Sequence, residues 1–324
     1  MAVYTNLSES DINELLSSFG LSNLQSFQGA SSGIENTTYF LALVDGLQLV
    51  LTLFETITRE ELPFYISLTR GLNAAGMPVP CPLQKPGGCS IHEILGKPAL
   101  LFPLVQGSHL DQPNLEEIGQ MGSTLAQIHL QCLALKYEHA NPHGLKWMRQ
   151  TLTFTESTLL QDEKKLIEQQ IQVRSKLESL KLPRAVIHAD LFRDNVMFRD
   201  GEVVGIIDFY GAGPDCLILD IAIAVNDWCL NAEGLVDEEK RIVFLRAYEH
   251  ERRLSALERT HFLEALQLAA TCFWLSRLKG QIQASQGSNQ VSKNPGLCKK
   301  LLLQHTREQV GGAPGVGVLI SSHL

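Results

Sequence analysis

Residues 187–195 read Ile-His-Ala-Asp-Leu-Phe-Arg-Asp-Asn, an H-x-D-x-x-x-x-N pattern, and an apolar run ends in Asp208-Phe209, 18 positions after Asp190. Ala185-Val186-Ile187 has the composition of a short buried strand entering a loop. Beyond the loop, residues 195–198 and 203–207 flank Arg199-Asp200-Gly201-Glu202, and the Asp-Gly pair marks a tight hairpin turn. A chain that makes this hairpin folds Asp208 back beside Asn195. One short region then delivers Asp190, Asn195 and Asp208 to the same place.

Those three side chains suit phosphoryl transfer. That reaction asks for little covalent chemistry. It needs an acceptor hydroxyl aimed in line with the γ-phosphate, and neutralisation of phosphate charge. Asp190 is the candidate to accept the hydroxyl proton. Mg²⁺ prefers hard oxygen ligands and fills its octahedron with water. The amide oxygen of Asn195 and the carboxylate of Asp208 are its candidate ligands. A capping Asp and a surface Asn would explain the loop alone, but not the hairpin and the placed Asp-Phe.

With these residues in view, the chain resembles the aminoglycoside phosphotransferase and choline kinase superfamily over most of residues 1–280, and within it the bacterial homoserine kinases. Four segments carry the second likeness: Gly33-Ile34-Glu35-Asn36, residues 49–55 (Leu-Val-Leu-Thr-Leu-Phe-Glu), residues 220–229 with Asn226-Asp227-Trp228-Cys229, and residues 273–278 (Phe-Trp-Leu-Ser-Arg-Leu). The resemblance implies an α+β, bilobal protein-kinase-like fold, with a β-rich N-lobe over 1–105 and a mainly helical C-lobe over 106–310. The tail, 311–324, is poor in structure-forming residues. The resemblance also implies ATP and Mg²⁺ as cofactors, L-homoserine as acceptor in threonine biosynthesis, and supporting roles for His188 and Asp220 behind the loop.

Composition narrows the field of partners. The 324 residues are 44% hydrophobic and carry 27 basic against 35 acidic side chains, a formal charge of −8. No basic block suggests nucleic acid or an anionic membrane. Seven scattered cysteines contain no CxxC pair, which argues against zinc and against a disulfide framework. The first residues lack the basic and apolar regions of a leader, and the run 217–225 is too short to span a bilayer. A cytoplasmic protein is the expectation; oligomeric state is not legible.

Along the chain, residues 39–44 and 47–54 read as a hairpin about Asp45-Gly46, followed by a helix near 59–75 and strands at 90–95 and 99–104. Strands with one helix make the N-lobe. Beyond 108 the pattern is helical: 115–135, with Ile118, Met121, Leu125, Ile128 and Cys132 on one face, then 155–181, 219–231, 237–253 and 256–279. His129 lies beside the first of these faces and reads as a core histidine.

The nucleotide side is less clear-cut. Small residues in the stretch 28–39 let backbone N–H groups approach phosphates, which nominates Ser31, Ser32, Gly33 and Asn36. Phe102 and Leu104 lie at the exit of the last strand, the candidate adenine edge. Kinases resembling this chain carry Lys or Arg in the strand where Thr52 stands, so the phosphate anchor there is a hydroxyl. Glu60 and Glu61 receive no catalytic role, because Thr58-x-x-Glu61 also fits a capping box.

On the acceptor side, an amino acid needs a cation for its carboxylate and an acceptor for its ammonium. Arg277 is the candidate cation, with a surface ion pair as the competing reading. Asn226, Asp227 and Trp228 are candidates to orient the ammonium and wall the pocket; a helix end with a buried Trp explains them equally. Two wider alternatives stand: another small-alcohol kinase acting on choline, methylthioribose or an aminoglycoside, and a non-catalytic nucleotide-binding module.

Overall fold

A computed structural model of the protein describes residues 3–30, 36–135, 139–286 and 293–310. The nominated Ser31, Ser32 and Gly33, and the tail 311–324, lie outside the described residues. The chain divides into two compact units. The first contains the residues up to Gln106 together with 283–286, and the second contains 107–282 together with 293–310.

In the first unit, helix α1 (Glu9–Ser18) precedes a five-stranded antiparallel sheet of order β1-β2-β3-β5-β4. The strands are β1 (Leu24–Gly29), β2 (Asn36–Leu43), β3 (Gln48–Phe54), β4 (His92–Ile94) and β5 (Lys97–Pro103). The expected hairpin about Asp45-Gly46 joins β2 to β3, with Thr38 opposite Thr52. Side chains alternate between faces along each strand. Tyr39, Leu41, Leu43, Leu49, Leu51, Leu53, Ala99 and Leu101 therefore share one face, buried in a core with Ile12, Leu15 and Leu16 of α1. Helix α1 is a correction to the expectation of one helix in this region. Ser8 and Asp11 cap it reciprocally. The second helix, α2, runs Leu62–Ala74 with Pro63 in its first turn, where a missing N–H costs nothing. Glu61 is used locally, accepting from the Thr58 N–H at 2.8 Å.

The second unit is mainly helical. Helix α3 (Leu115–Ala134) buries the predicted face. The helix expected over 155–181 is α5 (Gln161–Ser179), which begins after an extended Leu160 whose N–H is taken by Glu163; α4 (Leu145–Thr155), just before it, was not expected. Next come β6 (Arg184–Ile187), the hairpin β7 (Val196–Arg199) and β8 (Glu202–Ile206), and β9 (Gly213–Cys216), which pairs with β6. Asp200 and Gly201 both have positive φ, as a two-residue hairpin turn of this kind requires. Helices α6 (Leu217–Trp228), α7 (Glu238–Glu251), α8 (Ala256–Ser285) and α9 (Gly296–Val310) complete the unit. Every residue of α6 except Asp227 is buried, as expected of a helix apolar on all sides. No described helix is long and apolar enough to cross a membrane.

Helices α3 and α7 are in tight contact at Gly122. A Cβ built there would lie 2.3 Å from the Phe244 carbonyl oxygen, a backbone atom that cannot swing aside. Gly122→Ala would gain about 1 kcal/mol of helix propensity, but separating two packed helices costs typically about 1–3 kcal/mol. The expected result is net loss of stability, read as a lower denaturant midpoint at unchanged slope.

Candidate active site

The loop between β6 and β7 is built around Asp220, near the start of α6. This carboxylate is fully buried. It accepts the backbone N–H groups of His188 and Ala189, each at 2.9 Å, and the His129 ring Nε2–H at 3.1 Å. Burial alone would raise its pKa. The hydrogen bond from His129 and the His188 backbone N–H outweigh burial and hold it below the usual carboxylate range. Gripping two successive N–H groups forces a sharp turn, and Ala189 sits at φ +66°. For a residue with a Cβ this conformation costs roughly 1–2 kcal/mol.

His188 fastens the next link. It is buried, and both ring nitrogens are used: Nε2–H donates to the Ile207 carbonyl at 2.9 Å and Nδ1 accepts the Asp190 N–H at 3.3 Å. That pattern is the neutral imidazole, and burial pushes the ring pKa below its ordinary value. His188 thus joins the backbone of Asp190 to the residue preceding Asp208. The Asn195 carbonyl completes the connection by accepting the Ile207 N–H at 3.0 Å.

Asn195 donates from Nδ2 to the Asp190 carbonyl at 2.7 Å and to the Asp190 carboxylate at 3.1 Å. With the amide nitrogen committed, its oxygen is the atom left for a cation. Burial first, then the Asp208 and Asp194 carboxylates, push the Asp190 carboxyl well above the usual range, while Lys293 and the Asn195 bond work the other way. Asp208 itself has φ +63°. The three nominated residues are therefore brought together by backbone links at both ends of the β7–β8 hairpin. One amide oxygen and one carboxylate form a hard-oxygen pair that fits Mg²⁺, an ion that usually takes one or two carboxylates and keeps its waters.

In the first unit, Asn36, Thr38, Thr52 and Phe102 occupy even-numbered positions, on the sheet face opposite α1. Among the described residues, the Asn36 side-chain oxygen is buried with no hydrogen-bond partner. The Leu104 N–H donates to the Gln48 carbonyl at 3.1 Å. Among the described residues of the first unit, both lysines, Lys85 and Lys97, are engaged away from Thr52. The first 106 residues contain four basic side chains, Arg59, Arg70, Lys85 and Lys97. Lys97 is paired with Glu55, which also accepts from Thr5 and Thr37, at odd-numbered positions on the α1 side. Lys85 lies against His92 and the Phe19 ring, Arg70 donates to Ser90, and Arg59 is exposed.

The nominated acceptor residues each have bonding partners within the protein. Asn226 is buried, with Nδ2 donating to the Leu266 carbonyl and Oδ1 receiving His305 Nε2. Asp227 accepts the Arg193 N–H at 2.8 Å and its guanidinium Nε at 3.0 Å. Trp228 donates to the Leu191 carbonyl at 3.1 Å. Asp227 and Trp228 thus hold the second half of the loop while Asp220 holds the first. Arg277 donates to the Asn294 carbonyl at 3.0 Å.

Sequence reading missed three neighbours. Asp194 is in the one-turn helix Arg193–Asn195, and Lys293 pairs with it. His143 is reached across Gly211, where a built Cβ would lie 4.0 Å from both Asp190 Cβ and His143 Cε1. Asp194 was open to view inside the motif; Lys293 and His143 carry no local signal.

The chain belongs to the phosphotransferase enzyme family, whose model matches residues 26–257. Its solved neighbours show the same protein-kinase-like α+β fold. An amicoumacin kinase in complex with AMP-PNP and Ca²⁺ superposes with a TM-score of 0.69 at 17% identity, over 95% of each chain. Along the full chain, the likeness is to homoserine kinases. That of Methylobacillus flagellatus is 37% identical over 96% of this chain and 98% of its own length. That of Polaromonas naphthalenivorans is 40% identical over 86% and 89%.

Asp220→Asn keeps shape but turns one acceptor oxygen into a donor facing another donor. Breaking a buried ion-pair network in this way costs about 3–5 kcal/mol, so the variant is expected to melt well below wild type and to lose turnover at temperatures where it is still folded. A second expectation concerns pH. Burial also lowers the His143 pKa, helped by the charges of Lys279 and Arg174. His188 and His143 thus bind a proton less readily folded than unfolded, and unfolding takes up protons once pH falls below about 6.5. Stability is complete above that pH and declines below it, by up to about 1.4 kcal/mol per pH unit for each ring. Denaturant midpoints measured from pH 7.5 to 5.5 should fall, and less steeply in His143→Gln; a flat profile would contradict the assignment.

Proposed function

We propose that this protein transfers the γ-phosphoryl group of ATP to the side-chain hydroxyl of L-homoserine, giving O-phospho-L-homoserine in threonine biosynthesis. The observation that carries the reading is full-length identity of 37% to a homoserine kinase in a chain that keeps the Asp190, Asn195 and Asp208 set.

In this reading Asp190 accepts the hydroxyl proton as the acceptor oxygen attacks phosphorus. The Asn195 amide, donating to the Asp190 carboxylate at 3.1 Å, fixes its direction. Asn195 and Asp208 hold Mg²⁺, which when bound neutralises charge on the phosphates. The even-numbered face of the sheet, with Asn36, Thr52 and Phe102, receives the nucleotide; there Thr52 supplies a hydrogen bond but no cation. His188 and Asp220 support the loop. The first unit serves as nucleotide lobe and the second as acceptor lobe, with the protein working in the cytoplasm.

The test is Mg²⁺- and ATP-dependent release of ADP with L-homoserine, run beside choline, methylthioribose and an aminoglycoside. Turnover confined to L-homoserine is expected. Turnover on another alcohol instead would discard the acceptor. ATP binding with no turnover on any of them would favour a binding module. A positioned proton acceptor contributes about 10²–10⁴-fold. Asp190→Ala should lose turnover on that order while still binding ATP in a nucleotide titration, and near-normal turnover would remove Asp190 from the role.

A further inference from the structure

Taking the homoserine reading as its basis, we infer that the Asp194–Lys293 pair beside the catalytic loop is the receptor for the amino-acid end of the acceptor, with Lys293 meeting the carboxylate and Asp194 the ammonium. In L-homoserine the carbon bearing both charges is two methylene groups from the reacting hydroxyl, roughly 4 Å away by standard bond lengths. A receptor must therefore present one cation and one anion close to Asp190. Among the described residues, Asp194 and Lys293 meet that requirement together.

Asp194 belongs to the same single helical turn as Asn195, so the bonds that place Asn195 against Asp190 also place Asp194. Both charges are felt at Asp190, Asp194 as a like charge and Lys293 as an opposite one. Lys293 lies 5.5 Å over the Phe192 ring, which is itself buried against Phe273 at 4.4 Å between centroids. The ammonium is thus held over an apolar wall. Its backbone is anchored one residue on: the Asn294 carbonyl takes Arg277 Nη1 at 3.0 Å, and the Asn294 side chain takes the Gly296 N–H at 2.7 Å. Arg277 is in this account a positioning residue for the segment that carries Lys293.

The pair is also easy to open. The Lys293 and Asp194 side chains are 42% and 52% exposed. Ion pairs this exposed contribute little to stability and hold their partners loosely. A zwitterion inserted between them replaces one contact by two of the same kind. Asp227, by contrast, has its carboxylate engaged by Arg193 from both main chain and side chain, and releasing it would free the loop.

The experiment compares kcat/KM for three acceptors: L-homoserine, 3-amino-1-propanol, which lacks the carboxylate, and 4-hydroxybutanoate, which lacks the ammonium. The enzymes are wild type, Lys293→Met, Lys293→Arg and Asp194→Asn. A charged hydrogen bond lost is worth on the order of 10- to 100-fold. The preference for L-homoserine over 3-amino-1-propanol should fall by that factor in Lys293→Met, chiefly through KM, and largely return in Lys293→Arg. The preference over 4-hydroxybutanoate should fall likewise in Asp194→Asn. Equal losses on all three acceptors would mark damage to the loop, and unchanged selectivity would mark an idle surface pair; either overturns the inference. Wild type that ignores L-homoserine overturns the underlying reading as well, and that result is visible before any variant is made.

Discussion

The catalytic loop hangs on one buried anion. Asp220 has no contact with water, and three N–H donors converge on it. A lone carboxylate in such a place would be protonated or expelled. This one remains charged because its donors come from the loop that it shapes and from the helix behind. The dependence is mutual: the donors stabilise the charge, and the charge holds Ala189 in a conformation that it would otherwise avoid. Behind His129 stands a further relay, with Tyr248 at 2.7 Å, then Arg252 and Glu258. The anion is thus tied through buried groups to α7 and α8.

Much of this was legible in the sequence, for particular reasons. The Asp200-Gly201 turn can close a hairpin in few ways, so the meeting of Asn195 and Asp208 follows from local chemistry. The buried face of α3 follows from periodicity. Strand β9 does not. Gly213-Pro214-Asp215-Cys216 has no strand propensity, and it is held in place by Asp215, a buried carboxylate bonded to Arg174 and Asn141, each at 2.7 Å. Such pairings between distant residues leave no periodic trace. Helices α1 and α9 did leave one, in the capping box at Ser8 and in the spacing of Cys298, Leu301, Leu302 and His305.

The candidate site divides along the same line. Asp190, Asn195 and Asp208 lie within one stretch of chain and carry their own spacing signal. The acceptor side does not, because its parts meet only after folding. The cluster of Asn226, Asp227 and Trp228 was nominated through the likeness of residues 220–229 to homoserine kinases and the need to orient an ammonium. That cluster is explained by bracing, since an apolar helix that must grip a loop needs polar groups at the point of grip. Thr52 shows the opposite case. Its departure from the related kinases was visible at once, and the structure adds that Lys85 and Lys97 are engaged elsewhere, with His92 and the Phe19 ring and with Glu55.

The contact between His305 and Asn226, at 2.8 Å, has a consequence in time. Translation runs from the N-terminus, and the motif ending at Asp208 emerges 97 residues ahead of His305. At about 5–20 residues per second, the loop exists for roughly 5–20 seconds before the helix beneath it gains its last partner. A nascent chain thus carries every signature residue while α6 still lacks the α9 side of its packing. A ribosome that stalled in that interval would leave a chain recognisable by its motif, yet without the last support of the helix that holds the loop.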